Sequence, residues 1–391
     1  MSLTLDSGAR RADWALMVPV ACLVALGIVM VYSSSAFLGA SRYDSATFFL
    51  QRHVLRVLLG ALLLVVCMRL DYHRLQRLAP WALGGSVILL AALLAVGGEG
   101  VRGANRWLSI ATFQLQPTEV ARVACVVYLA SLLDRKGEKI ASFRDGLLPA
   151  CLVLGILALL ILKQPNLGST IALLATGFAL LFLAGAKRRH LALLVLGGAA
   201  VASIAVLRNP YMMDRVVAWQ AQWGAGHADT LGKNWQVSQS ILALGSGGVL
   251  GTGPGHGLQK VFFLPDPHTD FIYAVVGEEL GFLGTAAVLV AYVALFLRGL
   301  KIAANAPDRF GRYLAAGLTV NLSVYVAMNI AVVTGVIPTT GLPLPFLSYG
   351  GSALVVNLGV VGVLLNIASQ ADAGSRPAPI VRSRRLRAAR G

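Results

Sequence analysis

Charge is scarce in this chain of 391 residues: 13% are Asp, Glu, Lys or Arg, and acids are the rarer sign, 17 against 33 bases. Apolar residues make up 57% and the mean hydropathy is +0.73, so water is not the main solvent of this chain. Cysteine is equally sparse. Cys22, Cys67, Cys125 and Cys151 stand singly inside apolar segments without metal-type spacing, which excludes a disulfide framework and leaves four small hydrophobes. No small-residue cleavage site follows the first apolar run, which therefore reads as a retained helix. No repeat of fixed period and no inverted symmetry relates the halves, which weighs against a repeat-built transporter.

What the chain does contain is a series of apolar segments long enough for the roughly 20 residues that cross a hydrocarbon core. They fall at 14–35, 53–69, 79–97, 116–133, 146–163, 167–185, 190–207, 270–299, 312–337 and 348–369. The pattern predicts an all-α polytopic membrane protein of about ten transmembrane helices, with one long extracytoplasmic loop, 208–269, between helices 7 and 8. A cytoplasmic tail, 1–13, precedes the transmembrane domain, 14–369, and a basic cytoplasmic tail, 370–391, follows it.

The formal charge of +16 raises the question of a nucleic-acid partner, which the placement of the bases answers. With the N-terminus in the cytoplasm, the inner loops hold Arg69, Arg74, Arg77, Arg135, Lys136, Lys139, Arg144, Lys187, Arg188, Arg189, Arg298, Lys301, Arg309 and Arg312. Arg10, Arg11 and the tail residues Arg376, Arg382, Arg384, Arg385, Arg387 and Arg390 join them. Inside thus outweighs outside by 22 to nine, the positive-inside bias of a membrane protein, and no nucleic acid is implied. The basic tail reads as an orienting segment beside anionic membrane lipid.

The outer loop is too long and too rich in apolar and aromatic residues (Trp219, Trp223, Trp235, Ser240 to Leu244, Val261 to Leu264) for a plain linker. It reads as ordered, and its chemistry concentrates where it ends, at His268, Thr269 and Asp270. Two readings stand for Asp270: the N-cap of the next helix, or a base facing outward. Asp266 is flanked by Pro265 and Pro267, so a rigid turn and a second acid are both open. Glu278 lies eight residues beyond Asp270, about 12 Å along a straight helix, too far for an acid/base dyad. The run Gly245, Ser246, Gly247, Gly248, Gly251, Gly253, Gly255 lacks the ending of a P-loop and suits a close-packed bend. Ionisable residues within spans, Arg56, Glu119, Arg122, Glu278 and Glu279, are each candidates for function or for mutual neutralisation.

Several motifs occur in order: Val31-Tyr32-Ser33-Ser34-Ser35, Ala104-Asn105-Arg106-Trp107-Leu108, Gln116-Pro117-Thr118-Glu119, Lys163-Gln164-Pro165-Asn166-Leu167-Gly168, and Gln239-Ser240 through Gly248. Leu264 to Phe271, Gly277-Glu278-Glu279-Leu280-Gly281 and Pro343 to Gly351, with Ser348, complete the set. Together they resemble the SEDS family of bacterial shape, elongation, division and sporulation proteins, over nearly the whole chain. The stretches Gly253 to Lys260 and Val276 to Glu279 look more like the division branch, FtsW, than the elongation branch, RodA.

The resemblance implies a glycosyltransferase in the bacterial cytoplasmic membrane, both termini cytoplasmic, polymerising lipid II at the outer face and serving the division septum. Its implied partners are a class B penicillin-binding protein and other division proteins. The family's loop aspartate maps onto Asp270. Arg106, Lys163 and Lys260, or a divalent cation such as Mg or Mn, are the candidates to stabilise pyrophosphate. Trp107 suits either a sugar-packing wall or an interfacial belt. Gln164, His268, Thr269, Glu278, Glu279 and Ser348 complete the candidate substrate-binding set. The family usually has Asp where Asn166 stands and Lys at Arg122. If these positions pair, Glu119 or the substrate must supply the missing anion. A lipid II flippase, an elongation polymerase and a recruiting scaffold are the rival readings.

Overall fold

A computed structural model describes residues 13–96, 99–101, 104–110, 113–221 and 235–374. Arg10, Arg11, Arg102, Trp223 and the six tail arginines lie outside the described residues. Ten long helices follow the ten expected spans to within several residues. They are α1 (Trp14–Tyr43), α2 (Phe48–Arg69), α3 (His73–Val96), α4 (Pro117–Lys136), α5 (Leu148–Leu162), α6 (Leu167–Leu183), α7 (Arg188–Arg208), α11 (Ile272–Ala304), α12 (Arg309–Val333) and α13 (Gly351–Gly374). Three shorter helices occupy the long loop: α8 (Pro210–Ala221), α9 (Trp235–Ser246) and α10 (Gln259–Phe262). The helix-only expectation meets one exception, an antiparallel three-stranded sheet between α3 and α4, formed by β1 (Glu99–Val101), β2 (Ala104–Ile110) and β3 (Phe113–Leu115).

Eight of the helices are long and apolar enough to cross a membrane, α5 counting with the turn from Phe143 that leads into it. The other two long ones are special for physical reasons. α6 has only 17 residues, and α4 dilutes its apolar surface with Glu119, Arg122 and Asp134. α4 begins with Pro117 at its first turn, where a missing N–H costs nothing, and the Asn166 side chain caps α6 by accepting from the Ser169 N–H at 3.2 Å. Large apolar side chains such as Trp81, Leu62, Ile88 and Leu196 face outward, as a lipid solvent requires.

Packing puts α12 and α13 deepest. α2 lies against α13 through small residues: a Cβ on Gly60 would stand 2.5 Å from Leu358, and one on Gly362 2.4 Å from the Leu64 carbonyl. α11 is not one straight helix. Gly281 takes φ 65°, which breaks it into an upper and a lower piece. The glycine run after α9 fills the break. Gly248 and Val249 carbonyls accept from the Phe282 and Leu283 N–H groups, while Thr252 and Gly253 N–H groups donate to the Glu278 and Glu279 carbonyls. The glycines are therefore the close-packed bend of the sequence reading, since a Cβ on Gly247 or Gly251 would meet α11 backbone at 1.9 or 2.1 Å.

Candidate active site

α11 begins at Ile272, with Phe271 rather than Asp270 in the capping position. Asn329 of α12 fixes its backbone by donating to the Asp270 carbonyl at 2.8 Å and to the Leu342 carbonyl at 2.8 Å. Gly341 marks where the carboxylate points: a Cβ there would stand 3.4 Å from Asp270 Oδ2 and 3.7 Å from Arg106 Nη1. Asp270 and Arg106 thus converge on one glycine.

Arg106 comes from β2, and the turn after α5 holds it, because its guanidinium donates to the Gln164 and Pro165 carbonyls. Its side chain also faces Tyr211 of α8, with Cζ 5.8 Å from the ring centroid. Arg215, one turn along α8, donates to the Tyr211 hydroxyl at 2.5 Å and to the Thr339 carbonyl at 2.8 Å. Burial pulls the Arg106 pKa down, opposed by Tyr211 and Asp270 and aided by Arg215. An arginine still stays protonated, so the corner presents two cations beside one carboxylate. Tyr211 and Arg215 escaped the sequence reading. Their spacing of four on one helix face was the available signal, but nothing in the sequence fixed α8 as a helix.

A strap of backbone holds the segment before Asp270. Ser348 Oγ donates to the Thr269 carbonyl at 2.5 Å and accepts from the Leu344 N–H, and the Tyr349 N–H donates to the His268 carbonyl at 2.8 Å. His268 is buried between the Phe49 and Tyr349 rings. Burial lowers its pKa to about 4, against an opposing pull from Asp266, so it is neutral at pH 7. Asp266 itself sits exposed in a left-handed turn, φ 51°, between Pro265 and Pro267.

The remaining candidates form two other groups. Glu279 accepts from Ser33 Oγ at 2.7 and 2.9 Å, from Lys260 Nζ at 2.5 Å and from the Gly255 N–H at 3.0 Å. Glu278 accepts from the Leu258 and Gln259 N–H groups. These carboxylates fasten the 255–260 segment to α11, and Lys260 is neutralised inside the protein. Arg122 pairs with Glu119 at 2.9 Å, donates to Asn321 and Asn357, and lies 4.4 Å from the Tyr325 ring centroid. Glu119 therefore supplies the anion that position 166 lacks, and Asn166 serves α6 as its cap. Lys163 is exposed at the end of α5, and Trp107 is partly buried on β2.

Among the described residues no cluster of three or more His, Cys, Asp or Glu side chains could hold a metal ion. The donor set at Asp270 is a single carboxylate beside two arginines, which does not build a cation site.

A bundle of long apolar helices with a carboxylate and two arginines gathered at one end defines a polytopic integral membrane protein with a polar corner. Residues 13–373 match the family model described as "Cell cycle protein", that of FtsW, RodA and SpoVE. The chain is 41% identical over 373 residues to the probable peptidoglycan glycosyltransferase FtsW of Trichlorobacter lovleyi, covering 94% of this chain and 95% of that one. It is 38% identical over 356 residues to the stage V sporulation protein E of Bacillus subtilis, covering 91% and 96%. A chain from the structure titled "Structural coordination of polymerization and crosslinking by a peptidoglycan synthase complex" superposes with a TM-score of 0.75 at 30% identity, over 92% of this chain and 98% of that one. The rod shape determining protein RodA of Thermus thermophilus gives 0.68 at 30% identity, over 91% and 96%. The chain belongs to the FtsW, RodA and SpoVE family.

Proposed function

We propose that Asp270 is the general base of a glycosyl transfer that lengthens glycan strands from lipid II at the outer membrane face. By its family the chain is a peptidoglycan glycosyltransferase, and its FtsW relatives support the septal branch. The observation that carries the assignment of Asp270 is its placement. Its carboxylate turns toward Gly341 and Arg106, in the corner that Arg215 also lines.

The chemistry needs a proton acceptor for the attacking 4-hydroxyl and positive charge for the departing diphosphate. As the hydroxyl oxygen bonds to C1 of the donor sugar, the C1–O bond to the diphosphate breaks, the proton passes to Asp270, and polyprenyl diphosphate leaves with the electron pair. Arg106 and Arg215 stabilise that charge through a planar fork matched to phosphate oxygens. The orientation follows the positive-inside rule, with both termini cytoplasmic. The partner is a class B penicillin-binding protein, a reading supported by the synthase complex that joins polymerisation to crosslinking.

Purified protein with its transpeptidase partner and lipid II is expected to yield glycan strands on gels and to release polyprenyl diphosphate. Movement of labelled lipid across vesicles without either product would favour a flippase and overturn the reading.

A further inference from the structure

Arg56 is an ionised side chain placed two turns into α2 that finds no acid. It is 6% exposed, and among the described residues no carboxylate lies within ion-pair distance. Its Nη1 is buried without a hydrogen-bond partner. The Tyr349 ring beneath it, 4.4 Å from Cζ to the centroid, offers a π face that attracts the cation without neutralising it. His53, three residues earlier on the same helix face, is fully buried with both ring nitrogens unpartnered, and its ring lies 6.0 Å from that of Tyr349. A buried guanidinium and a buried imidazole left without partners are costly in a membrane protein unless something else completes them.

What borders Arg56 is the start of α13. A Cβ on Gly351 would stand 3.9 Å from Arg56 Cζ and Nη2, so the first turn of this 24-residue helix borders the guanidinium. The opening N–H groups of a helix have no intrahelical acceptor and carry the positive end of its dipole, the arrangement that binds phosphate. Gly350 and Gly351 are buried and put no side chain between that backbone and the guanidinium, and the nearest neighbour of a Cβ on Gly351 is the Gln114 carbonyl at 3.0 Å. A guanidinium fork and helix N–H groups thus border one place, and the imidazole lies about one turn away on the same face of α2, beside the same Tyr349 ring.

We propose that His53, Arg56 and the first turn of α13 form a seat for a phosphate group carried on a lipid. The seat shares a wall with the reaction corner, because Tyr349 both underlies Arg56 and holds the His268 carbonyl two residues before Asp270. Its role rests on the polymerase reading: such an enzyme holds two lipid-linked sugars at once, each with a diphosphate. Arg106 and Arg215 serve one of them, and the seat receives the other. The phosphate of an anionic phospholipid has the same chemistry and is the alternative source.

Thermal unfolding of the full chain in neutral detergent tests this. The wild type, Arg56→Gln and Asp270→Asn are each titrated at constant ionic strength with sodium pyrophosphate, undecaprenyl pyrophosphate and phosphatidylglycerol. Without added anion, Arg56→Gln is expected to unfold at the same temperature as the wild type or higher, since it removes an uncompensated charge. Pyrophosphate and undecaprenyl pyrophosphate raise the midpoint of the wild type and of Asp270→Asn by several degrees, with apparent affinity at least about tenfold weaker in Arg56→Gln. An Arg56-dependent shift with phosphatidylglycerol alone keeps the seat and assigns it to membrane lipid. Shifts equal in wild type and Arg56→Gln, no shift in the wild type, or an Arg56→Gln chain that unfolds earlier or fails to fold would overturn the seat. Full polymerase activity in Asp270→Asn would instead overturn the reading of the reaction corner and leave the seat standing.

Discussion

At the scale of single residues, the protein spends its few ionisable groups in two ways. Arg122 and Lys260 are closed off by Glu119 and Glu279, and removing either acid would strand a buried cation. His268 is kept neutral by burial, which has a consequence in pH. Its folded pKa is about 4 against 6.5 for a free imidazole, so between those values the unfolded chain binds a proton that the folded chain refuses. The stability it contributes is whole above pH 6.5 and is lost as the pH falls toward 4, by up to about 3 kcal/mol at roughly 1.4 kcal/mol per unit. Unfolding midpoints measured from pH 7.5 to 4.5 are expected to fall less steeply in His268→Phe than in the wild type. Parallel curves would contradict the assignment.

At the scale of elements, the break in α11 organises the outer half of the molecule. Non-helical backbone within an apolar helix has to find its hydrogen bonds in the protein, and the segment 247–253 supplies them. Gly251→Ala meets this directly: φ is 84° and the new methyl would stand 2.1 Å from the Glu279 carbonyl oxygen. Overpacking together with backbone strain should cost about 3 kcal/mol or more in thermal unfolding. Gly155→Ala on α5, where nothing lies within 4 Å of the new methyl, should be neutral or stabilising by up to about 1 kcal/mol. Equal losses in the two variants would show that the break is not held by this contact.

The same region shows how far the sequence reaches. Long apolar runs announce helices by length, so the spans were legible, and Gly245 to Gly255 was legible as a bend. Which backbone the bend would meet was not, because α9 and α11 are brought together by packing rather than by local pattern. At the candidate site, the motif singled out Asp270, whereas its meeting with Arg106 at Gly341 needed the structure, since the three come from distant segments. Glu119 was open as partner to Arg122, and the role of Asn166 as a cap on α6 needed the structure.

At the scale of the whole molecule, α12 and α13 lie deepest among the ten long helices, and Asp270, Arg106 and Arg215 gather at one end of the bundle. The fold gives a rigid frame on which the strap 344–350, the sheet and α8 hold that corner in place. The central claim is that Asp270 accepts the proton of the attacking sugar. Its most direct test is the rate of lipid II polymerisation by Asp270→Asn beside the wild type, with lipid II binding followed in parallel. The account predicts a rate lower by about 10² to 10⁴-fold with binding retained, the range that one general base supplies. Polymer formed at the wild-type rate by Asp270→Asn would contradict it.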